Sequence, residues 1–514
     1  MKAWRSFYEV LKFPIEVIVF AVFLCTAGNL MINTVYGLAA SVENDYVQGI
    51  SEMFIRTGSF LLVNFPLFFL YRMTARKNGS SAVTIAGFCG YIAFAAATAF
   101  SHDRSLTKNA YSSILGMAIT NSEVSYLSGT VYPLQTGLFG ALIAAGIALM
   151  AYARTKRRHK YGFFGFLSRE VVCVMRTTIW CMLAGVAVSL IWPFGVKLIE
   201  KIVHFISVDT SNPVNLILYG ITERVLYTFN LSNLIRQPFW FGAEGGNWVS
   251  FAGIAYVGDV NVWTAEMNGG ALASSFGKFI TPYYVINIFA IPGMLAAIFF
   301  LQTDPVERRR EFPLMLVLIL LSMLGGISLP VQLMLLFLCP FLFVFHVTVS
   351  GMLFGILHMF RAYIGYSAPN QNIISAMPGT LPELIHYLQY PRLLSSIIIV
   401  LIAGVVCFLL YFLMTRIYFT HLASDLFHTG EGEKKLNDVL KALGGIENVK
   451  NLESDVDSLT VLLYDESLIQ VSKLRRLGAY RIYQGTAGYS LHFGADATML
   501  RRGMESRLRE PLKK

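Results

Sequence analysis

The chain has 514 residues, 55% of them hydrophobic and only 14% charged, with a formal net charge of +10. That balance excludes an ordinary soluble enzyme and points to a polytopic membrane protein. Nor is the positive charge a nucleic-acid footprint. It collects in runs such as 155–160 (TKRRHK) and 307–310 (ERRR), which flank apolar stretches as cytoplasmic loops do.

Apolar runs long enough to span a bilayer begin near Phe13, Phe54, Ala82, Leu134 and Val171, then near Thr281, Pro313, Val331 and Leu394. With short and broken segments added, the expectation is roughly ten membrane helices plus re-entrant segments. The run 171–206 exceeds one span, which implies an interfacial extension. The first run is too long for a cleavable signal and lacks a small-residue cleavage site. Lys2, Arg5 and Lys12 precede it, whereas Glu43 and Asp45 follow it. Arg72, Arg76 and Lys77, then the run at 156–160, mark later returns to the positive side. Both termini are therefore expected in the cytoplasm.

Two segments do not read as simple spans. Residues 212–245 mix apolar runs with Glu223, Arg224, Asn230, Ser232, Asn233, Arg236 and Gln237, and residues 322–332 set Gly325, Gly326 and Pro330 inside an apolar stretch. Irregular backbone at membrane depth survives only when buried in protein or lining a wet cavity, so broken polar segments point to a transport site.

After Tyr418 the composition turns soluble. Apolar positions from Lys434 to Leu443 have helical spacing and end at Gly444-Gly445. Residues 459–464, 479–483 and 488–493 read as strands, with an amphipathic helix over 467–477 and an arginine-rich helix at the end. The expected fold is thus an α-helical polytopic membrane protein with a C-terminal small α/β sandwich. The domains are a membrane part over 1–425, a link at 426–432 and a cytosolic domain over 433–514. Cys25, Cys89, Cys173, Cys181, Cys339 and Cys407 all lie in apolar segments and none in the tail. Their spacing matches no metal site, and neither metal nor cofactor is expected.

Several runs carry a resemblance. Residues 219–241 (YGITERVLYTFNLSNLIRQPFWF) follow, without a gap, the run YGFINRLLIPTGLHHLWNAPFWF. Residues 326–332 (GISLPVQ) follow GITEPIE and continue to Cys339-Pro340, His346 and Gly351. Residues 135–140 (QTGLFG) resemble DTGVFG, and 161–165 (YGFFG) keep a GFFG. In the tail, 451–460 (NLESDVDSLT) resemble NLDACITRLR. In this order the runs resemble the glucose-family permeases of the phosphotransferase system, with fused C and B subunits.

The resemblance implies a homodimer built on an amino-terminal scaffold half, a mobile half carrying the substrate, and a bacterial cytoplasmic membrane as its location. It also shows what has changed. The family's phosphocysteine falls on Asp455, and its two loop arginines on Ser458 and Thr460. A thiolate accepts a phosphoryl group because it is nucleophilic near neutral pH, and phosphate needs charged or N–H donors around it. No catalytic residue is therefore assigned, Asp455 standing at the lost position. The adjacent histidines fall on Ser232 and Asn233, and the two signature glutamates on Leu329 and Gln332. Leu329 neither accepts a hydrogen bond nor acts as a base, which costs about ten- to hundredfold in sugar affinity if a buried hydroxyl goes unpaired. The expected substrate-binding set is Arg224, Asn230, Ser232, Asn233, Leu329 and Gln332, with Arg236 and Gln237 widening it toward an anionic ligand.

The leading expectation is a carrier that binds and moves a small polar solute, a carbohydrate, without phosphorylating it. One alternative is a membrane sensor whose tail docks a cytosolic regulator through Arg475, Arg476, Arg501, Arg502, Arg507 and Arg509. Tail deletion that abolishes signalling while sparing solute binding separates the two. Another is an active sugar phosphotransferase fed by an external donor domain. The lipid bilayer is a partner in all of them.

Overall fold

A computed structural model describes residues 2–32, 45–78, 81–100, 106–112, 132–158, 167–250, 252–269, 275–301, 305–367, 377–422, 430–454, 458–485, 488–493 and 496–509. The chain divides into two compact units. One holds Val10–Thr415 and the other the remaining residues.

The larger unit is helical. Its first helices are α1 (Lys2–Ile32, begun in the other unit), α2 (Asp45–Val63), α3 (Phe65–Asn78), α4 (Ser81–Thr98), α5 (Gly137–Arg158) and α6 (Arg169–Val208). Small residues let these helices approach closely, as expected where lipid supplies no hydrophobic drive between them. A Cβ on Gly90 of α4 would lie 2.8 Å from both Cys181 Sγ and Thr177 Cγ2 of α6. Beside this seam, Leu70, Phe94, Ala141, Ala144, Ala145 and Cys181 form a buried apolar cluster. The 40 residues of α6 run as one helix, about 60 Å long and far beyond a bilayer core of about 30 Å. The extension expected past one span is therefore helical.

The second half holds α7 (Pro213–Thr228), α8 (Asn233–Trp240), a hairpin of β1 (Asn247–Val249) and β2 (Ala255–Val257), and α9 (Asp259–Gly269). It continues through α10 (Thr281–Val285), a π-turn at Ile286–Ala290, α11 (Ile291–Leu301) and α12 (Pro305–Gly325). Next come α13 (Leu329–Leu338), α14 (Pro340–Met359), α15 (Leu381–Tyr387) and α16 (Leu394–Ile417). Helices α7 and α14 pack along their lengths. Gly351 and Gly355 of α14 make this possible, since a Cβ on either would strike Ile217 or Ile221 of α7.

Seven of the described helices are long and apolar enough to cross a membrane, or eight if α2 and α3, bent by 55° at Asn64, form one broken span. This corrects the expectation of roughly ten. The apolar runs near Pro313 and Val331 give apolar helical stretches of only 14 and 10 residues, Phe312–Gly325 within α12 and Leu329–Leu338. The chain breaks at 326–328 and again at Cys339, which precedes a proline.

In the smaller unit, α17 (Gly430–Ala442) is followed by β3 (Val449–Ser454), β4 (Ser458–Leu463), α18 (Val471–Arg476), β5 (Arg481–Gly485), β6 (Gly488–His492) and α19 (Asp496–Arg509). The sheet is antiparallel in the order β3-β4-β6-β5. Its apolar face, with Leu459, Val461 and Leu491, closes on Leu436, Val439 and Leu440 of α17 and on Ala497, Leu500 and Met504 of α19. The run at 451–460 ends one strand and begins the next. Asn451–Ser454 form the end of β3, and Ser458 and Thr460 lie in β4, where Thr460 pairs with Glu453. Asp455 and the GFFG run at 161–165 lie outside the described residues, as does 426–429 of the expected link. Residues 430–432 begin α17.

Candidate solute site

The two segments singled out for their broken backbone meet in the interior of the larger unit. Helix α7 starts with Asn212 as N-cap, its side chain accepting from Val214 N, and Pro213 in the first turn. It stops at Thr228 because the chain turns through Asn230, which has φ 63°. Asparagine tolerates this left-handed conformation better than most residues. The turn is held on both sides. Asn230 Nδ2 donates to Val63 O at the bend between α2 and α3 (2.9 Å), and Gln135 Nε2 donates to Asn230 O (2.9 Å). Asn230 and Gln135 also line a cleft with Tyr91, Ser112, Thr136 and Gly137. The Gln135 Oε1 atom there is buried and without a hydrogen-bond partner.

The second break follows α12. Gly326 takes φ 63° and α13 restarts at Leu329. Its freed backbone is met by Asn287 of the π-turn, whose Nδ2 donates to Gly326 O (3.1 Å) and Pro378 O (3.0 Å). A non-helical stretch is tolerated inside a membrane bundle when its carbonyls are answered in this way.

Side chains from the two breaks bond directly. Gln332 Nε2 donates to Ser328 Oγ (3.0 Å), and the Thr228 hydroxyl lies 3.1 Å from Gln332 Oε1. Arg224 Nη1 donates a long bond to Ser328 Oγ (3.4 Å). Arg224 and Gln332 are essentially inaccessible to solvent, at 1% and 0% exposure. Glu223 anchors the cluster. Its Oε1 accepts from Arg236 Nε (2.7 Å) and meets Arg236 Nη2 (2.5 Å), while its Oε2 lies 3.0 Å from Arg224 Nε. Aromatic faces cover both guanidiniums. Arg224 lies 4.5 Å from the Tyr283 ring centroid, and Arg236 lies 4.4 Å from Tyr227 and 4.8 Å from Trp240. Such stacking suits the weakly hydrated guanidinium.

Of the expected residues, Arg224 and Gln332 thus share one hydrogen-bonded cluster, and Leu329 is buried at the start of α13 beside Ser328. Asn230 holds the turn and lines the cleft. Ser232 and Asn233 open α8. Among the described residues no hydrogen bond or ion pair of the Arg224 cluster reaches their side chains. Arg236 is not an open anion site, since its guanidinium is committed to Glu223. The expectation overlooked Glu223 as a partner. The signal was an ionisable residue inside an apolar segment, which in a membrane seeks a counter-ion.

The family described as "Phosphotransferase system, EIIC" matches residues 9–351. The "PTS system glucoside-specific EIICBA component" of Staphylococcus carnosus (strain TM300) is 26% identical over 514 residues, covering 97% of this chain and 72% of that protein. The "PTS system glucose-specific EIICBA component" of Staphylococcus saprophyticus subsp. saprophyticus is 25% identical over 481 residues, 90% of this chain and 66% of that protein. Both relatives are therefore longer than the part this chain spans. Among solved structures, the transporter ChbC, the IIC component from the N,N'-diacetylchitobiose-specific phosphotransferase system, aligns at 12% identity. The alignment has a TM-score of 0.32 over 81% of this chain and 93% of that one, and such an overlap carries no argument about geometry. The match over residues 9–351 covers well over half of the chain, and this polytopic membrane protein belongs to the phosphotransferase-system EIIC family.

Proposed function

We propose that the chain is a permease of the fused C and B type that binds a carbohydrate and moves it across the bacterial cytoplasmic membrane without phosphorylating it. In this reading residues 1–425 form the permease, 426–432 the link and 433–514 a B-like cytosolic domain. The protein acts as a homodimer with both termini in the cytoplasm, and Arg224, Asn230, Ser232, Asn233, Leu329 and Gln332 form the solute site. The observation that carries the reading is the Arg224–Ser328–Gln332–Thr228 cluster, where both broken segments meet through buried polar side chains. A membrane protein keeps such groups at depth for a function more readily than for stability. The B-like tail supports the second half of the proposal, because it contains no cysteine and carries Ser458 and Thr460 where the family has charged donors.

The lost phosphoryl transfer has a direct test. The purified protein is incubated with radiolabelled phosphoenolpyruvate, the general phosphotransferase proteins and an A-subunit phosphoryl donor, beside an active EIICB permease. The expected result is label on the control and none on this chain. Stable label on this chain overturns the claim, and acid stability of the bond then separates an acyl phosphate from other linkages.

A further inference from the structure

We infer that the solute of this site carries a negative charge, as a carboxylate or phosphate on a carbohydrate. The inference rests on the permease reading above and names its substrate class. The charges do not balance as they stand. Arg236 and Glu223 satisfy one another, with two short contacts to the same carboxylate oxygen. Arg224 reaches the other oxygen of that carboxylate only as an ion pair. Its Nε sits 3.0 Å from Glu223 Oε2 without hydrogen-bond alignment, because consecutive helical residues do not face each other. Its Nη2 is buried with no hydrogen-bond partner, and its Nη1 has only the long bond to Ser328. Two guanidiniums, at 1% and 3% side-chain exposure, thus share one carboxylate. Among the described residues the ion pairs of both arginines lead to Glu223 alone.

An uncompensated buried charge is among the costliest features a fold can hold. An anionic ligand removes that cost when it binds and supplies the acceptor that Arg224 Nη2 lacks. A neutral sugar hydroxyl supplies the acceptor without the charge. The resembled runs point the same way. They place asparagine at the positions of Glu223 and Arg236, and glutamate at those of Leu329 and Gln332. Where the resembled runs hold one arginine and two glutamates at these positions, this chain holds two arginines and one glutamate. The charge of the site has reversed sign, and its preferred ligand is expected to follow.

The test is equilibrium binding to the full-length protein in detergent by titration calorimetry. The probes are neutral hexoses (glucose, galactose, mannose and N-acetylglucosamine), the matching uronates and 6-phosphates, and inorganic phosphate. One anionic sugar is expected to bind about ten- to hundredfold more tightly than its neutral parent. Arg224→Gln is expected to abolish that preference and Arg224→Lys to retain part of it. Because Arg224→Gln leaves Glu223 and Arg236 paired, it is expected to melt no lower than the parent. Equal or tighter binding of the neutral sugar overturns the inference and leaves the permease reading standing. Inorganic phosphate binding as tightly as the sugar phosphate also overturns it, since the sugar then contributes nothing. Binding of no sugar at all, charged or neutral, overturns both.

Discussion

Replacing Glu223 by glutamine is expected to cost the folded protein about 3–5 kcal/mol, the penalty for leaving buried charge without its partner. Here the effect falls on two cations at once. Glu223 is 0% exposed and stands between Arg224 and Arg236, so neutralising it leaves both guanidiniums in mutual repulsion with no water to reach them. The expected observation is a melting midpoint well below that of the parent in detergent, with much of the protein lost to aggregation during purification. Arg236→Gln is expected to be milder, because Glu223 then keeps Arg224 as its counter-ion. The double variant Glu223→Gln with Arg236→Gln is expected to recover most of the lost stability, since it removes an acid and a base together. A double-mutant cycle measures that coupling directly. Purely additive losses from the two single variants would show that the pair is not a unit.

Trp240→Ala is expected to cost a similar amount, about 3–5 kcal/mol, through loss of a large side chain from a filled site. Trp240 is 0% exposed at the end of α8, donates through Nε1 to the Tyr219 hydroxyl (2.9 Å) and stacks on Arg236. Tyr219 in turn packs edge-on against Phe239, Phe279 and Phe354. The indole therefore ties α8 to α7 and fixes Arg236 opposite Glu223. Trp240→Phe keeps most of the volume and loses the N–H, so its cost is expected near that of one hydrogen bond, about 1 kcal/mol, plus an unpaired Tyr219 hydroxyl. Melting midpoints of the two variants beside the parent check the order. If alanine and phenylalanine cost the same, the hydrogen bond rather than the packing holds the helix.

Much of this architecture is legible in the residues. Apolar runs locate the helices near Phe13, Ala82, Val171, Thr281 and Leu394 because the bilayer demands about twenty apolar residues per crossing. The breaks around Asn230 and Gly326 announce themselves by polar groups and glycines where a span should continue. Other features are less visible. Strand β3 carries the sequence VKNLES, too short and polar to alternate cleanly, and is a strand because β4 pairs with it. Helices α12 and α13 share an apolar run that looks like membrane spans until the chain turns at Gly326. The partnership of Glu223 with Arg236 spans 13 positions and depends on the reversal at 229–232, so no helical spacing rule reports it. Ser232 and Asn233 stand out only by resemblance, whereas the ion cluster that orders this region is set by three-dimensional packing.

A protein that moves a carbohydrate with no phosphoryl transfer of its own, as proposed, does so without any phosphotransferase partner. The most direct measurement is counterflow of labelled sugars and sugar phosphates into liposomes holding the purified protein, with no phosphotransferase components present. The expected result is saturable uptake of one solute, recovered chemically unchanged from the vesicle lumen and reduced by Arg224→Gln. Folded, correctly inserted protein that takes up nothing until a phosphoryl donor system is added, and then delivers only phosphorylated product, would contradict it.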